Sequence, residues 1–186
     1  MNKVQTDNSY LEAKIKLRLE TIANQSINQS INILDLYGGE GKIWSEIKIR
    51  TGWNMNVLRM DLKPDRTGVY LKGDNLKFLS KINLNDFHVI DCDAYGVPYK
   101  QVKQIFQKNF KGIIFITYIQ SMFGKLPTAM LNELGYTKTM IQKIQTLFNI
   151  NGIEKFKAWL SLYGITVINI ISFNRKHYLS INMRQQ

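Results

Sequence analysis

Apolar residues along this chain follow two different periods, and their alternation predicts an α/β protein. Tyr10 to Ala23 repeats apolar residues at helical spacing against a charged face, which predicts an amphipathic helix. Ile31 to Leu36 is a short apolar run with only two polar residues, which is typical of a buried parallel strand. Strand-like and helix-like segments then alternate, and this order indicates a largely parallel sheet covered by helices.

The same patterns place the remaining elements. Strands are predicted at Val57 to Met60, Gly68 to Leu71, Phe87 to Asp91 and Gly112 to Tyr118. Helices are predicted at Lys42 to Arg50, Leu76 to Lys81, Val102 to Phe110, Met130 to Leu147 and Ile153 to Tyr163. Gly164 to Phe173 and Tyr178 to Met183 predict a final hairpin. Only Leu62 to Thr67 separates the second and third strands, so we expect a rim loop there instead of a crossover helix.

The first strand runs directly into a glycine-rich turn. Gly39 and Gly41 let the backbone approach a ligand, and the first N–H groups of the helix from Lys42 can bind a polar or anionic group. A plain strand-to-helix turn also needs glycine, so that alternative stays open. A dinucleotide fingerprint would need glycine where Trp44 stands. Asp61, at the end of the second strand, stands where an acidic residue binds ribose hydroxyls, so the turn predicts a ribose-containing ligand.

These residues, together with Gly73 and Asp74 after the third strand, resemble the motifs of class I S-adenosylmethionine-dependent methyltransferases. The resemblance implies a Rossmann-like α/β fold, with a mostly parallel seven-strand sheet that ends in an antiparallel hairpin and helices on both faces. The resemblance spans a core at 31–183, and the chain length predicts one domain over residues 1–186, with an N-terminal helix and linker at 1–30. The resemblance also implies S-adenosylmethionine as cofactor, bound by Asp35, Tyr37, Gly39, Gly41, Asp61, Asp74 and Asn75. Asp74 can equally cap the next helix.

A second motif, DCDAYGVP, runs from Asp91 to Pro98 after the fourth strand, where open α/β folds bind ligands. It is similar to the Asp-x-Asp-Pro-Tyr/Phe-Gly-x-Pro loop of tRNA guanine exocyclic-amine methyltransferases, except that Ala94 replaces the first proline and removes a fixed φ. The resemblance implies that Asp91, Asp93 and Tyr95 are catalytic. A carboxylate can accept the hydrogens of an aromatic amine and orient its lone pair, which Asp93 can do.

Tyr95 offers a flat face on which an unpaired or flipped base can stack, although it can also simply pack the loop. The predicted activity is therefore methyl transfer to an exocyclic amine of a nucleic acid base, and RNA is favoured over DNA as the acceptor. A DNA amino-methyltransferase, a small-molecule methyltransferase and a catalytically inactive cofactor-binding protein stay open as alternatives.

The charge distribution bears on the partner. The net charge is +11, and residues 101–186 carry 11 Lys and Arg against 2 Asp and Glu, whereas residues 1–100 carry 14 against 12. Such asymmetry is typical of a protein that binds a polyanion, although it can also serve solubility. We expect a nucleic acid, single-stranded or structured RNA, to contact Lys125, Lys138, Lys143, Lys155 and Lys157.

Chain length and cysteine content indicate the size of the core and the redox compartment. A chain of 186 residues with 45% hydrophobic residues can bury one full core. Cys92 is the single cysteine, which excludes a disulfide framework and is typical of a reducing compartment. Neither a signal core nor an apolar run long enough to cross a bilayer is seen, so we expect a cytoplasmic protein without membrane contact. His88 and His177 lack metal-ligand spacing, and we assign no metal site.

Overall fold

The computed structural model describes residues 10–25, 30–64, 66–121, 124–166 and 168–183. Residues 1–9, 26–29, 65, 122–123, 167 and 184–186, some of which fall in the predicted N-terminal segment, rim loop and hairpin, lie outside the described residues. Within the described ranges, no helix is both long and apolar enough to cross a membrane.

The described residues form one sheet of seven strands: β1 (Ile31–Asp35), β2 (Met55–Asp61), β3 (Leu71–Lys72), β4 (Val89–Cys92), β5 (Ile113–Ile119), β6 (Ile168–Phe173) and β7 (Lys176–Asn182). The spatial order is β3-β2-β1-β4-β5-β7-β6. The pairs among the first five strands are parallel, and β7 runs antiparallel to both β5 and β6. The predicted mostly parallel sheet with a final antiparallel hairpin is confirmed.

Helices cover both faces of the sheet. They are α1 (Leu11–Ala23), α2 (Lys42–Thr51), α3 (Asn75–Lys81), α4 (Tyr99–Gln107), α5 (Thr128–Glu133), α6 (Lys138–Lys143), α7 (Gln145–Asn149) and α8 (Gly152–Ser161), with a short 3-10 turn at Leu84–Asp86. Helices α1 and α2 enclose one apolar cluster, which contains Ile33 and Phe115 of the sheet. The other cluster contains Leu34, Ile114 and residues of α3 to α8 except α6. Neighbouring residues of a strand point to opposite faces, so both faces bury apolar side chains, each contributing about 1.5–3 kcal/mol.

The region before α8 differs from the prediction. A single helix from Met130 to Leu147 was expected, but the chain forms α5, α6 and α7 there. Gly135 has a φ of 90°, which ends α5, and the side chain of Thr137 accepts a hydrogen bond from the backbone N–H of Met140 and so starts α6. Helical spacing of apolar residues continues across this break, although α5 and α7 contribute buried residues to the core and α6 contributes none. The single-helix prediction was wrong.

The link between β2 and β3 has no helix in its described residues, as the short spacing predicted. The third strand, however, is shorter than expected and starts later, with only Leu71 and Lys72 paired to the end of β2. Gly68, the first residue of the predicted strand, has a φ of 71° and therefore cannot begin a regular strand. Residues 62–64 and 66–70 lie in a loop at the edge of the sheet, next to the carboxyl ends of its parallel strands.

Candidate functional site

Cavities open at the carboxyl ends of the parallel strands, where open α/β folds bind ligands. One, of about 730 Å³, is called here the central cavity, and it lies between the ends of β1, β2 and β4 and the start of α3. Its lining includes the predicted site residues Tyr37, Asp61, Asp74, Asn75, Asp93 and Tyr95. A small chamber of about 70 Å³ shares Tyr37 and Asp93 with it and adds Asp35 and Gly39.

The glycine turn has the conformation that its sequence predicted. Gly39 and Gly41 have φ values of 46° and 73°, in the left-handed region that side chains disfavour. A Cβ atom on Gly41 would also lie 2.7 Å from Nη1 of Arg59 on β2. Arg59 donates to the carbonyls of Gly39, at 3.4 Å, and Thr67, at 2.5 Å, and so ties the turn to the rim loop. The turn itself therefore requires these glycines, and their ligand-binding role stays a prediction.

Asp61 lies at the end of β2 and faces the central cavity. One of its carboxylate oxygens accepts the backbone N–H of Lys63 at 2.8 Å, and the other accepts Nε of Arg66 at 3.0 Å. Arg66 also donates to Glu40 at 3.0 Å, and hydrogen bonds from Thr67 and Arg66 lower the pKa of Glu40 to about 2. Since each carboxylate oxygen has two lone pairs, Asp61 keeps acceptor capacity for ligand hydroxyls.

Asp74 and Asn75 lie at the start of α3 and line the central cavity. Asp74 accepts the backbone N–H of Leu76 at 2.8 Å, so its alternative as a helix cap is confirmed, and its side chain also lines the central cavity. Asn75 donates to the carbonyl of Leu36 at 3.2 Å and accepts from Gln101 at 3.0 Å. These bonds hold both side chains in place before any ligand arrives.

Asp91 is buried beneath the β4–α4 loop (residues 93–98) and is paired with a residue that the sequence analysis did not select. Arg18 of α1 is 1% exposed and donates to both Asp91 oxygens, at 2.9 and 2.7 Å, while Trp44 Nε1 donates to one of them at 3.0 Å. The guanidinium lies 5.0 Å from the ring centroid of Phe115. Asp91 is not among the described residues that line the central cavity or the small chamber, so this geometry favours a structural role.

Asp93 points into the central cavity and is held by two further groups. Nζ of Lys14 lies 2.8 Å from each carboxylate oxygen, and Thr117 Oγ1 donates to Oδ1 at 2.5 Å. Burial alone would raise the pKa of Asp93, but the charges of Lys14 and Arg18 hold it below its usual value. Asp93 is therefore an ionised acceptor at neutral pH, with remaining lone pairs toward the cavity.

Asp35 is a third carboxylate close to Asp91 and Asp93. Burial, and then the nearby charge of Asp91, raise the pKa of Asp35 well above its usual range. One of its oxygens accepts the backbone N–H of Tyr37 at 3.1 Å. The two cations from α1 could have been suspected from the sequence, because Lys14 and Arg18 stand one turn apart within an otherwise apolar face.

Ala94 replaces a proline of the resembling loop, and the structure shows what it does instead. Its backbone N–H donates to the carbonyl of Cys92 at 2.7 Å, a bond that proline lacks the hydrogen to make. The carbonyl of Gly96 accepts the backbone N–H of Ile119 at 2.9 Å and ties the loop to β5. These bonds leave Tyr95 74% exposed at the mouth of the central cavity.

A second cavity, of about 1120 Å³, adjoins the first and is called here the lateral cleft. Tyr95 and Ile119 line both cavities. Of the five lysines predicted to bind nucleic acid, Lys125 lines this cleft. The other four lie on α6 and α8, outside the lining of both cavities: Lys138, Lys143, Lys155 and Lys157. Their contact with nucleic acid stays a prediction.

Comparison with solved structures identifies the fold. The CurJ carbon methyltransferase has a TM-score of 0.61 at 11% identity over 93% of this chain and 54% of its own, so this chain spans about half of that protein. A S-adenosylmethionine-dependent methyltransferase from Archaeoglobus fulgidus has a TM-score of 0.53 at 11% identity, covering 92% and 94% of the two chains. This chain has the class I methyltransferase fold.

A protein described as an rRNA methylase from Clostridium thermocellum shares this fold, with a TM-score of 0.53 at 11% identity over 96% of this chain and 97% of its own. No protein-family model and no curated protein matches the sequence. The likeness to these solved structures confirms the fold prediction. The choice of acceptor depends on the chemistry of the cavities.

Proposed function

We propose that this chain is a S-adenosylmethionine-dependent methyltransferase that methylates an exocyclic amine of an RNA base. The observation that carries the proposal is the position of Asp93. Its ionised carboxylate lines the central cavity, and Tyr95, two residues further along the chain, lines both that cavity and the lateral cleft. A cofactor in the central cavity and an acceptor that enters from the lateral cleft past Tyr95 would therefore meet near this carboxylate.

The central cavity suits S-adenosylmethionine in size and in chemistry. Its volume of about 730 Å³ lies within the range of about 300–1,000 Å³ that is common for small-molecule sites. Asp61 would accept the ribose hydroxyls, Asp74 would accept the adenine amine, and the glycine turn would leave room for the methionine portion. When bound there, the cofactor would supply an electrophilic methyl group, with its thioether as the leaving group when the amine nitrogen forms the new bond to carbon.

Asp93 would orient the acceptor amine. A carboxylate that accepts an N–H of the amine directs the nitrogen lone pair and raises the electron density on nitrogen. Because Lys14 and Arg18 keep the pKa of Asp93 low, its carboxylate is a weak proton acceptor. The amine proton that is lost after transfer therefore passes to solvent, and Asp93 acts by positioning through a hydrogen bond.

Tyr95 would support the base itself. Tyr95 is 74% exposed and lines both cavities, so an unpaired base can stack on its ring while the amine of that base reaches Asp93. The fold likeness to a protein described as an rRNA methylase and the net charge of +9 over residues 101–186 favour RNA as the acceptor. An RNA acceptor and the unpaired, buried Cys92 agree with a cytoplasmic location.

The test is a transfer assay with methyl-labelled S-adenosylmethionine over total RNA, DNA and a metabolite extract. We expect label in RNA with the wild type and its loss with Asp93→Asn, which keeps the shape of the side chain but removes the charge. Glu20→Gln is the matched control, since it makes the same change of charge at a solvent-facing position of α1. Calorimetry should show similar cofactor affinity for all three proteins.

Two results would contradict the proposal. Label in DNA or in a metabolite but not in RNA would assign a different acceptor to the same fold. Equal transfer by Asp93→Asn and wild type would show that the carboxylate does not orient the acceptor amine.

A further inference from the structure

The lateral cleft is built from segments that are far apart in the sequence. Tyr10 precedes α1, Tyr95 belongs to the loop after β4, Lys125 follows β5, and Arg175 lies in the turn between β6 and β7. The backbone N–H of Gln120 donates to the carbonyl of Arg175 at 3.3 Å, which fixes the turn against the end of β5. The cleft therefore has a defined wall beside the mouth of the central cavity.

The two cavities differ in the charged residues that line them. The central cavity contains Asp61, Asp74 and Asp93 among its described lining residues, together with four cationic side chains: Lys14, Lys63, Arg66 and Lys100. The described lining of the lateral cleft contains Lys125, Arg175 and Lys176 and no carboxylate. A cleft whose described lining carries several cations and no carboxylate attracts anionic ligands, because the positive potential is focused between its walls.

Aromatic rings lie among these cations. Tyr10 and Phe173 stack with their ring centroids 4.2 Å apart and their planes 12° apart. Nζ of Lys176 lies 5.3 Å from the centroid of the Tyr10 ring. Together with Tyr95, three aromatic side chains and three cations are among the described residues that line the cleft, whose volume is about 1120 Å³. Aromatic platforms beside cations are the combination by which proteins bind single-stranded nucleic acids.

We infer that the lateral cleft binds the RNA strand that flanks the methylated base. Lys125 and Arg175 contact phosphates, and the stacked pair of Tyr10 and Phe173 supports a neighbouring unpaired base. This inference rests on the proposed function and adds the site at which the acceptor strand is held. The cleft is larger than a single nucleotide needs, so it accommodates flanking residues of the strand. A duplex would have to open first, because both aromatic surfaces need exposed base faces.

The experiment measures binding of a fluorescent single-stranded RNA of about twelve nucleotides by anisotropy over a series of salt concentrations. Lys125→Gln and Arg175→Gln each remove one phosphate contact, and Lys81→Gln is the matched control. Lys81 ends α3 at the amino edge of the sheet, away from the cleft. We expect each cleft variant to bind RNA more weakly and to lower the slope of log affinity against log salt by about 0.7, with about 1.4 for the double variant. The control should match the wild type.

Both cleft positions are exposed and lie outside the central cavity, so cofactor affinity measured by calorimetry should be unchanged and will report correct folding. An unchanged salt slope in the double variant, or wild-type protein that binds no RNA, would overturn the inference. So would tighter binding of a DNA strand of the same sequence. If such variants still methylate RNA as wild type does, only the cleft assignment fails. Absence of cofactor binding by the wild type would instead remove the proposed function.

Discussion

Replacing Arg18 by methionine tests whether the buried ion pair holds the end of β4 beneath the β4–α4 loop. Arg18 donates to both oxygens of Asp91 and to the carbonyl of Lys14, the last at 2.9 Å. Methionine has a similar length and fills much of the same space, but it has no charge and no hydrogen to donate. Arg18→Met therefore leaves the carboxylate of Asp91 buried without its cation.

The contacts of Arg18 predict how much folding stability Arg18→Met loses. Removing one partner of a buried ion pair destabilises a protein by about 3–5 kcal/mol. Trp44 still donates to Asp91 in the variant, at 3.0 Å, so we expect the lower part of this range, about 3–4 kcal/mol. A chain of this size loses about 2–4 °C of Tm per kcal/mol, which predicts a fall of about 6–16 °C.

The loss should depend on pH. Burial raises the pKa of Asp91, and Arg18 opposes this rise in the wild type. Without Arg18, the folded-state pKa of Asp91 increases further above its unfolded value of about 3.9. A carboxyl with a raised folded-state pKa destabilises the fold as pH rises above the unfolded value, so the defect of the variant should be largest at neutral pH and should shrink toward pH ~4.

Urea unfolding at neutral pH and at about pH 4.5 measures both effects. Arg18→Met with Asp91→Asn should recover much of the loss, because asparagine keeps an acceptor for Trp44 without a buried charge. Arg50→Met is the control, since Arg50 pairs with Glu12 and Glu46 at the surface, where ion pairs contribute little. If Arg18→Met unfolds at the same urea concentration as Arg50→Met, or shows no pH dependence, the ion pair does not support β4.

Two further changes probe the proposed site, and a third probes the lysines of α6 and α8 that were predicted to bind nucleic acid. Asp61→Ala should weaken S-adenosylmethionine binding by about 2–3 kcal/mol in calorimetry, because charge-assisted hydrogen bonds to the ribose are lost, and unchanged affinity would remove Asp61 from the site. Lys14→Met removes a charge that keeps the pKa of Asp93 low, so the acid limb of kcat/KM should move to higher pH, and an unmoved limb would count against Asp93. A third variant replaces four lysines of α6 and α8 with glutamate: Lys138, Lys143, Lys155 and Lys157. It should bind RNA more weakly without a change in cofactor affinity, and RNA binding equal to that of the wild type would show that these lysines do not contact RNA.

The sequence by itself determined the α/β fold and the edge of the sheet at which a ligand would bind. Apolar runs such as Ile31 to Leu36 specify strands covered on both faces, because successive side chains point to opposite sides. Gly39 and Gly41 marked the turn after β1, since a positive φ is a local property that the residue type encodes. Asp61 and Asp93 follow strands, and the carboxyl ends of parallel strands meet at one edge, so both were expected to lie near a common cavity.

Only the tertiary structure decided which charged groups meet. Lys14 and Arg18 contact Asp93 and Asp91, which are 79 and 73 positions away in the chain. Helical periodicity indicates which face of α1 is apolar, but the partners of its cations depend on how the whole helix lies across the sheet. The same holds for the lateral cleft, where Tyr10 and Arg175 come together from opposite ends of the chain. Local sequence specifies the elements, whereas the packing of all elements at once sets the distances between their side chains, and those distances decide the charge and the reach of each group in the site.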